Sequence, residues 1–323
     1  MSIQRIIYNL RALLRNVASV KGLSVLLSSF GALWLCVEIA DYFFKNTALP
    51  STIEGLWWLF CFVGIVISVW ISRPKLLVAS RLRDRDVYIE IAIGDVFSFN
   101  GSIVVGSNST FDTRISRELI SRMSVQGQLT NRYYEGELQL DAELNTALNG
   151  IHYENLNGNR VGKNKRYPLG TVVRVNPKGR IGYFVAIAHI NEHGVASSTL
   201  DSLKDCLAQL WLFIGQRGIK EPIVMPILGT GFTRLPSSRQ VIVHEIIKSF
   251  VAACSERTFS DKLTIVIAES DAIKNKISLE ELGEYLHHVC NYTEFAVNSN
   301  ERFGTAVASD NYLERSATTI VSG

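Results

Sequence analysis

Two uncharged apolar runs, an amphipathic segment ahead of them and a long tract of strand and helix patterns behind them divide this chain. Between Lys21 and Glu38 lie sixteen uncharged residues (GLSVLLSSFGALWLCV), and apolar character resumes through Ile39, Ala40 and Tyr42 to Phe44. Between Glu54 and Arg73 lie eighteen more (GLWWLFCFVGIVISVWIS). At ~1.5 Å rise per residue the second run covers about 27 Å, close to the ~30 Å of bilayer hydrocarbon. The first reaches that length when Glu38 and Asp41 sit near its far end. The two predict a two-helix transmembrane hairpin over residues 21–72. In residues 3–17, Ile3, Ile6, Ile7, Leu10, Leu13, Leu14 and Val17 recur at helical spacing with Arg5, Arg11 and Arg15 elsewhere on the wheel. That spacing predicts an amphipathic helix over residues 1–20, suited to an anionic leaflet, another subunit or the chain's own large domain.

From Val87 the pattern changes. Strands are predicted at Val87 to Ile93, Ser102 to Ser107, Thr171 to Val175, Gly182 to Ile190, Pro222 to Leu228 and Leu263 to Glu269. Helices are predicted at Phe111 to Met123, Thr199 to Gly215, Ser237 to Cys254 and Ser278 to Val289, the last opening on a capping box of Ser278 and Glu281. This alternation predicts an α/β domain over residues 87–295, a sheet with helices on both faces. Residues 73–86 read as a basic linker, Asn149 to Tyr167 as a long loop, and 296–323 as a polar tail, disordered or lid-like.

Composition sharpens the division. Hydrophobic residues make up 47% of the 323 and charged residues 20%, below the ~25% usual for soluble domains. That excludes a disordered chain. Residues 1–86 hold ten Lys/Arg against five Asp/Glu, so the formal +3 leaves residues 87–323 at −2. Cations flank the runs on one side only: Arg5, Arg11, Arg15 and Lys21 before, Arg73, Lys75, Arg81, Arg83 and Arg85 after. By the positive-inside rule both termini are cytoplasmic, joined outside by a turn near Asn46 to Ser51, which gives a multi-pass membrane protein. A cleaved secretory signal fits less well, because no small-residue cleavage pattern follows the first run and a second run does. A buried hairpin of a soluble protein also fits less well, because Trp57, Trp58 and Trp70 sit at the run ends as an interfacial belt would. Glu38 and Asp41 share a helical face; they suit the external interface better than a polar path between subunits. Five cysteines, two of them in apolar runs, form no disulfide framework and suit a reducing cytoplasm.

The sharpest local feature is PILGTGFTRLP, Pro226 to Pro236, where glycines follow a strand end and precede a helix. Such glycines let backbone N–H groups approach an anion. The P-loop reading fails for want of Gly-Lys-Ser/Thr, and the dinucleotide fingerprint for want of its third glycine. Read alone, the loop is a structural turn as readily as a site.

Three segments in order resemble a macro domain. IGDVFSF (Ile93 to Phe99) resembles that family's strand followed by Gly-Asp and an apolar residue. IVVGSNS (Ile103 to Ser109) resembles its asparagine-bearing strand end, and MPILGTGFTRLP its diphosphate loop. The resemblance implies ADP-ribose binding: Asp95 accepting from the adenine amino group, Asn108 bonding the distal ribose, and the amides of Gly229, Thr230, Gly231, Phe232 and Thr233 holding the diphosphate. Phe232 would pack beside it and Arg234 add a charge-assisted contact. Val96, Ser109, Thr110, Phe111 and Leu228 complete the implied binding set. Without the resemblance, Asp95 and Asn108 read as ordinary turn residues.

Hydrolytic members of that family carry an asparagine where this chain has Val105, and a glycine-rich loop where it has STFDTRIS (Ser109 to Ser116). A binding module is therefore expected rather than an enzyme, with no catalytic residues and no cofactor; a membrane-tethered ADP-ribosyl hydrolase is the alternative. The altered loop suggests an added group on the ligand near Asn108 to Phe111. Two membrane segments followed by a divergent macro domain resemble the membrane-anchored effector of type II Thoeris anti-phage systems. That resemblance implies a histidine-conjugated ADP-ribose signal made from NAD by a TIR-domain partner, oligomerisation and membrane damage.

Other chemistry is weaker. His189, Glu192 and His193 lack zinc-site order, and adjacent His287 and His288 diverge on a helix, so no metal is expected. Cys206 and Cys254 read as core. Beyond Lys163, Lys165 and Arg166 the acidic part offers no basic stripe for nucleic acid.

Overall fold

In a computed structural model the strands read from residue 88 onward form one mixed sheet. The structure describes residues 10, 13–14, 16–43, 57–73, 76–83, 85–115, 119–156, 161–190, 196–229 and 235–292. Most of the segment 3–17, the turn at 46–51, Glu192, His193, residues 230–234 and the tail 296–323 lie outside them.

Helices α1 (Val20–Phe43) and α2 (Trp57–Ile71) pack against each other. Gly64 leaves room for the ring of Phe30, which a Cβ would meet at 3.0 Å, and Asn16 Nδ2 donates to the Ser72 carbonyl at 3.2 Å. The helices therefore run antiparallel. Residues Gly22–Ala40 form the one described helix segment long and apolar enough to cross a membrane, with mean hydropathy 1.9 and 6% of the segment buried. A core helix of a soluble protein or a signal sequence meets the same length and hydropathy criterion. The 15 residues of α2 fall short of that length among the described residues.

Strands β1 (Leu77–Arg81), β2 (Tyr88–Ile93), β3 (Ser102–Asn108), β6 (Val172–Val175), β7 (Gly182–Ile190), β9 (Ile223–Pro226) and β10 (Lys262–Ile267) lie in the order β1-β2-β10-β9-β3-β7-β6. Short β8 (Ala196–Ser197) pairs antiparallel with the end of β7, and β4 (Glu154–Asn155) pairs with β5 (Lys165–Arg166) apart from the sheet. The central five strands are parallel and the two outer ones antiparallel. One face packs on α5 (Leu200–Arg217), α6 (Arg239–Glu256) and α8 (Leu279–Tyr292). In α5, Leu203, Leu207, Leu210, Trp211 and Ile214 are buried at helical spacing, and each contributes about 1.5–3 kcal/mol relative to exposure. The other face carries α3 (Val125–Tyr133), α4 (Glu137–Ala147) and the segment after β2. A short α7 (Glu269–Lys274) follows β10.

Two expectations are corrected. The linker 73–86 contains β1, paired Leu77↔Ala92 through Arg81↔Tyr88, so the sheet begins before residue 87. Its one-sided burial and flanking arginines hid the strand. Where the expected helix Phe111 to Met123 is described, over residues 111–115 and 119–123, the chain is irregular, and α3 starts only at Val125. Phe111 has φ 49°, which no right-handed helix tolerates, and polar side chains compete for the backbone there.

Residues 94–101 carry the chain from the end of β2 across β10 and β9 to the start of β3. Asp95 starts a 3-10 turn at Val96–Ser98 that lies beside β9. Arg180, just before β7, clamps this crossover: Nε donates to the Gly101 carbonyl at 2.8 Å, and its other nitrogens reach the carbonyls of Phe97 and Phe99 and the Tyr133 hydroxyl.

Candidate functional site

The five parallel strands end at one sheet edge, where open α/β sheets bind ligands. Three loops leave that edge at Asp95, Asn108 and Gly229.

The carboxylate of Asp95 is held yet accessible. Its Oδ1 accepts the Phe97 N–H at 3.1 Å and its Oδ2 pairs with Arg132 of α3 at 2.9 Å, while 40% of the side chain remains exposed. The Arg132 guanidinium also lies 4.4 Å from the centroid of the Phe97 ring. Val96 is buried beneath.

At the end of β3 a bulge shifts the pairing with β7 between Ser107 and Asn108. Asn108 then turns its side chain onto its own loop. Its Oδ1 accepts the N–H groups of Thr110 (3.2 Å) and Asp112 (3.1 Å), and its Nδ2 donates to Asp112 Oδ2 at 3.1 Å. The Thr110 hydroxyl reaches the same Oδ2 at 2.6 Å. Ser109 Oγ accepts the Ile190 N–H, and the Ser109 carbonyl accepts the Tyr167 N–H at 2.7 Å. Ser109, Thr110 and Phe111 are fully buried, and the Phe111 ring meets Tyr167 edge-on at 5.7 Å. Their side chains thus shape the loop from inside.

The third loop begins at buried Leu228 and Gly229. Gly229 has φ +71°, and its carbonyl accepts the Leu235 N–H at 3.3 Å, which brings the two ends of the segment together. Residues Thr230, Gly231, Phe232, Thr233 and Arg234 lie outside the described residues. Gly106 lets this loop approach β3, since a Cβ there would meet Ile187 Cδ1 at 2.6 Å and Leu228 Cδ2 at 3.4 Å. The structure therefore brings the starts of all three predicted loops to one edge, with the middle of the third undescribed.

Several residues escaped the sequence reading. Asp112, 1% exposed, accepts the Lys163 N–H at 2.7 Å, and its carbonyl accepts Gln126 Nε2 at 2.7 Å. Asp141 accepts the Thr113 hydroxyl at 2.7 Å and pairs with Lys163 Nζ at 2.6 Å. Burial pushes the Asp141 carboxyl up, but hydrogen bonds from Lys163, Thr113 and Asn145 and the lysine charge together hold it below its ordinary value. The signal was present: Asn, Thr and Asp at alternate positions after a buried strand are turn chemistry. Ser107 Oγ is buried with no partner among the described residues.

Val105, 0% exposed, lies in the core of β3 and presents no polar group. Cys206 and Cys254 are core thiols that burial pushes up to about 11 and about 12, far from nucleophilic at neutral pH. All five cysteines are free. Among the described residues no three His, Cys, Asp or Glu side chains gather as a metal would need.

The sequence profile of the macro domain of the Thoeris protein ThsA matches residues 89–268. The chain belongs to that ThsA macro domain family. A curated relative, the Thoeris protein ThsA of Bacillus amyloliquefaciens (strain Y2), is 26% identical over 205 residues, which span 61% of this chain and 67% of that one. Among solved structures, an Oceanobacillus iheyensis macrodomain with ADP is 16% identical at a TM-score of 0.44, over 65% of this chain and 99% of that one. A Trypanosoma brucei macrodomain in complex with ADP-ribose is 14% identical at 0.39, over 61% and 67%. Membership of the ThsA macro domain family rests on the match over residues 89–268.

Proposed function

We propose that this ThsA macro domain chain is a ligand-gated effector of anti-phage defence that binds an ADP-ribose derivative without turning it over. The observation that carries the binding reading is the convergence of Asp95, Asn108 and the Gly229 turn on the C-terminal edge of the sheet, within the span matched by the family. Asp95 would take the adenine amino group, Asn108 the distal ribose, and the amides from Gly229 to Thr233 the diphosphate. Val105 supports binding over hydrolysis, because a buried valine can neither orient nor deprotonate an attacking water. The ligand class is supported by the macrodomains crystallised with ADP and with ADP-ribose. We assign the signal as histidine-ADP-ribose, produced by a TIR-domain partner and reaching this chain by diffusion.

The output is membrane damage by an oligomer. In this reading the two apolar runs, residues 22–37 with their extension and residues 55–72, are the two-span hairpin with both termini in the cytoplasm, and ligand binding favours an assembled state through its higher affinity for that state. Titration calorimetry of the detergent-solubilised full chain with ADP-ribose and histidine-ADP-ribose, with chromatography of the recovered nucleotide, tests the reading. Micromolar or tighter binding with intact nucleotide is expected. Hydrolysis of the nucleotide would replace the binder with a hydrolase, and no heat with either compound would overturn the assignment. Gly231→Glu, which brings bulk and negative charge to the diphosphate loop, abolishes binding in that assay and toxicity on expression in cells, while membrane fractionation finds its insertion intact.

A further inference from the structure

The side-chain amide of Asn108 has its orientation fixed by chemistry. Two backbone N–H groups, those of Thr110 and Asp112, point at one of its terminal atoms, and an N–H can only donate. That atom must be the oxygen, which turns the nitrogen toward Asp112 Oδ2 at 3.1 Å. One Nδ2 hydrogen is spent there. The other has no protein acceptor among the described residues, and Asn108 is half-buried, so a donor is left at the sheet edge.

Asp112 fixes this arrangement from beneath. It is 1% exposed, and both carboxylate oxygens accept: Oδ1 from the Lys163 N–H at 2.7 Å, Oδ2 from Asn108 and from the Thr110 hydroxyl at 2.6 Å. We propose that Asp112 is a positioning residue for ligand recognition, holding the Asn108 amide with its free hydrogen toward the distal ribose of the nucleotide. The inference rests on the binding reading above and deepens it. Only a carboxylate satisfies the site. An isosteric amide would set an NH2 against a donor on one side or the other, losing either the Lys163 link or the Asn108 link.

Two nucleotides separate this role from general loop stability, because ADP is ADP-ribose without the distal ribose. In calorimetry of the full-length chain in detergent, Asp112→Asn lowers ADP-ribose affinity tenfold or more and leaves ADP affinity within twofold. In an Asn108→Ala background the same substitution adds no further loss, since the group it positions is gone. Should Asp112→Asn fail to fold, Thr110→Val, which deletes one donor to Oδ2, gives the same selective loss at severalfold. Equal losses for ADP and ADP-ribose, or full additivity with Asn108→Ala, would overturn the positioning role while leaving the binding reading standing. A wild-type chain that binds neither nucleotide would overturn both.

Discussion

The amide of Ile93 donates to the carbonyl of Leu76 at 2.9 Å, so the strand that follows the apolar helices begins beside the end of the strand that leads into Asp95. The helices thus enter the sheet at the edge that carries the candidate site. Only residues 74 and 75 separate Arg73 from Leu76. Inserting six Gly/Ser residues after Arg73 is expected to leave nucleotide affinity within twofold and to suppress toxicity in cells. Undiminished toxicity would show that the helices do not read the sheet edge through this connection.

Asp95 and Arg132 separate recognition from stability. Both partners are 40–45% exposed, so the pair is worth at most about 1 kcal/mol, and Arg132→Leu should change denaturant stability by no more than that. Asp95→Ala removes the proposed adenine acceptor and should weaken ADP and ADP-ribose alike by about tenfold, or ~1.4 kcal/mol. Unequal effects on the two nucleotides would place Asp95 away from the base.

Arg180→Met tests the crossover clamp. It strips charge-assisted donors from the carbonyls of Phe97, Phe99 and Gly101 and should cost about 2–3 kcal/mol by urea unfolding. Because the clamp sets where Asp95 sits, ADP affinity should fall as well.

Gly229→Ala should cost about 1–2 kcal/mol, the strain of a left-handed backbone at φ +71°. The new Cβ would meet Leu235 Cβ at 3.5 Å, an ordinary contact, so crowding adds little. Unchanged melting in denaturant would mean that this turn relaxes to another conformation.

A pH dependence follows from His244, whose ring stacks on Tyr285 at 3.6 Å between centroids. Burial, helped by the Lys248 charge and opposed by Glu245, holds the imidazole below its ordinary value. The unfolded chain, titrating near ~6.5, then binds a proton more readily than the folded one. Stability is full above about pH 6.5 and falls as the pH drops from there through the lower folded value. His244→Phe keeps the stack and should remove that part of the slope in melts from pH 7.5 to 5.

Much of the sheet was legible. Buried parallel strands read as continuous apolar runs, and Gly182–Ile190 matches its expected bounds. Helices α5, α6 and α8 lie within three residues of their expected bounds. Strand β1 was not legible, because its inner face is only half-buried and the residues Leu-Val-Ala-Ser-Arg do not alternate in polarity, although their exposure does. Helix α4 hid because it buries only Leu140 and Leu144. At the site, glycines and short polar residues marked where the loops turn. The partners of those residues, Arg132 for Asp95 and Lys163 for Asp112, arrive from distant sequence, and no local pattern announces them.

The crossover over residues 94–101 also has a contour length. Three interstrand steps of about 4.8 Å, and the roughly 13 Å from the level of Ile93 back to that of Ile89, make a diagonal of about 19 Å. Nine extended virtual bonds would reach about 30 Å, but a 3-10 turn advances only ~2 Å per residue. With three residues at ~2 Å and six at ~3.3 Å the chain still reaches about 26 Å, roughly a third more than the diagonal. Length alone therefore does not place Asp95; the Arg180 donors on the carbonyls of Phe97, Phe99 and Gly101 take up the excess, so the segment is a tied cord whose knot is a single side chain.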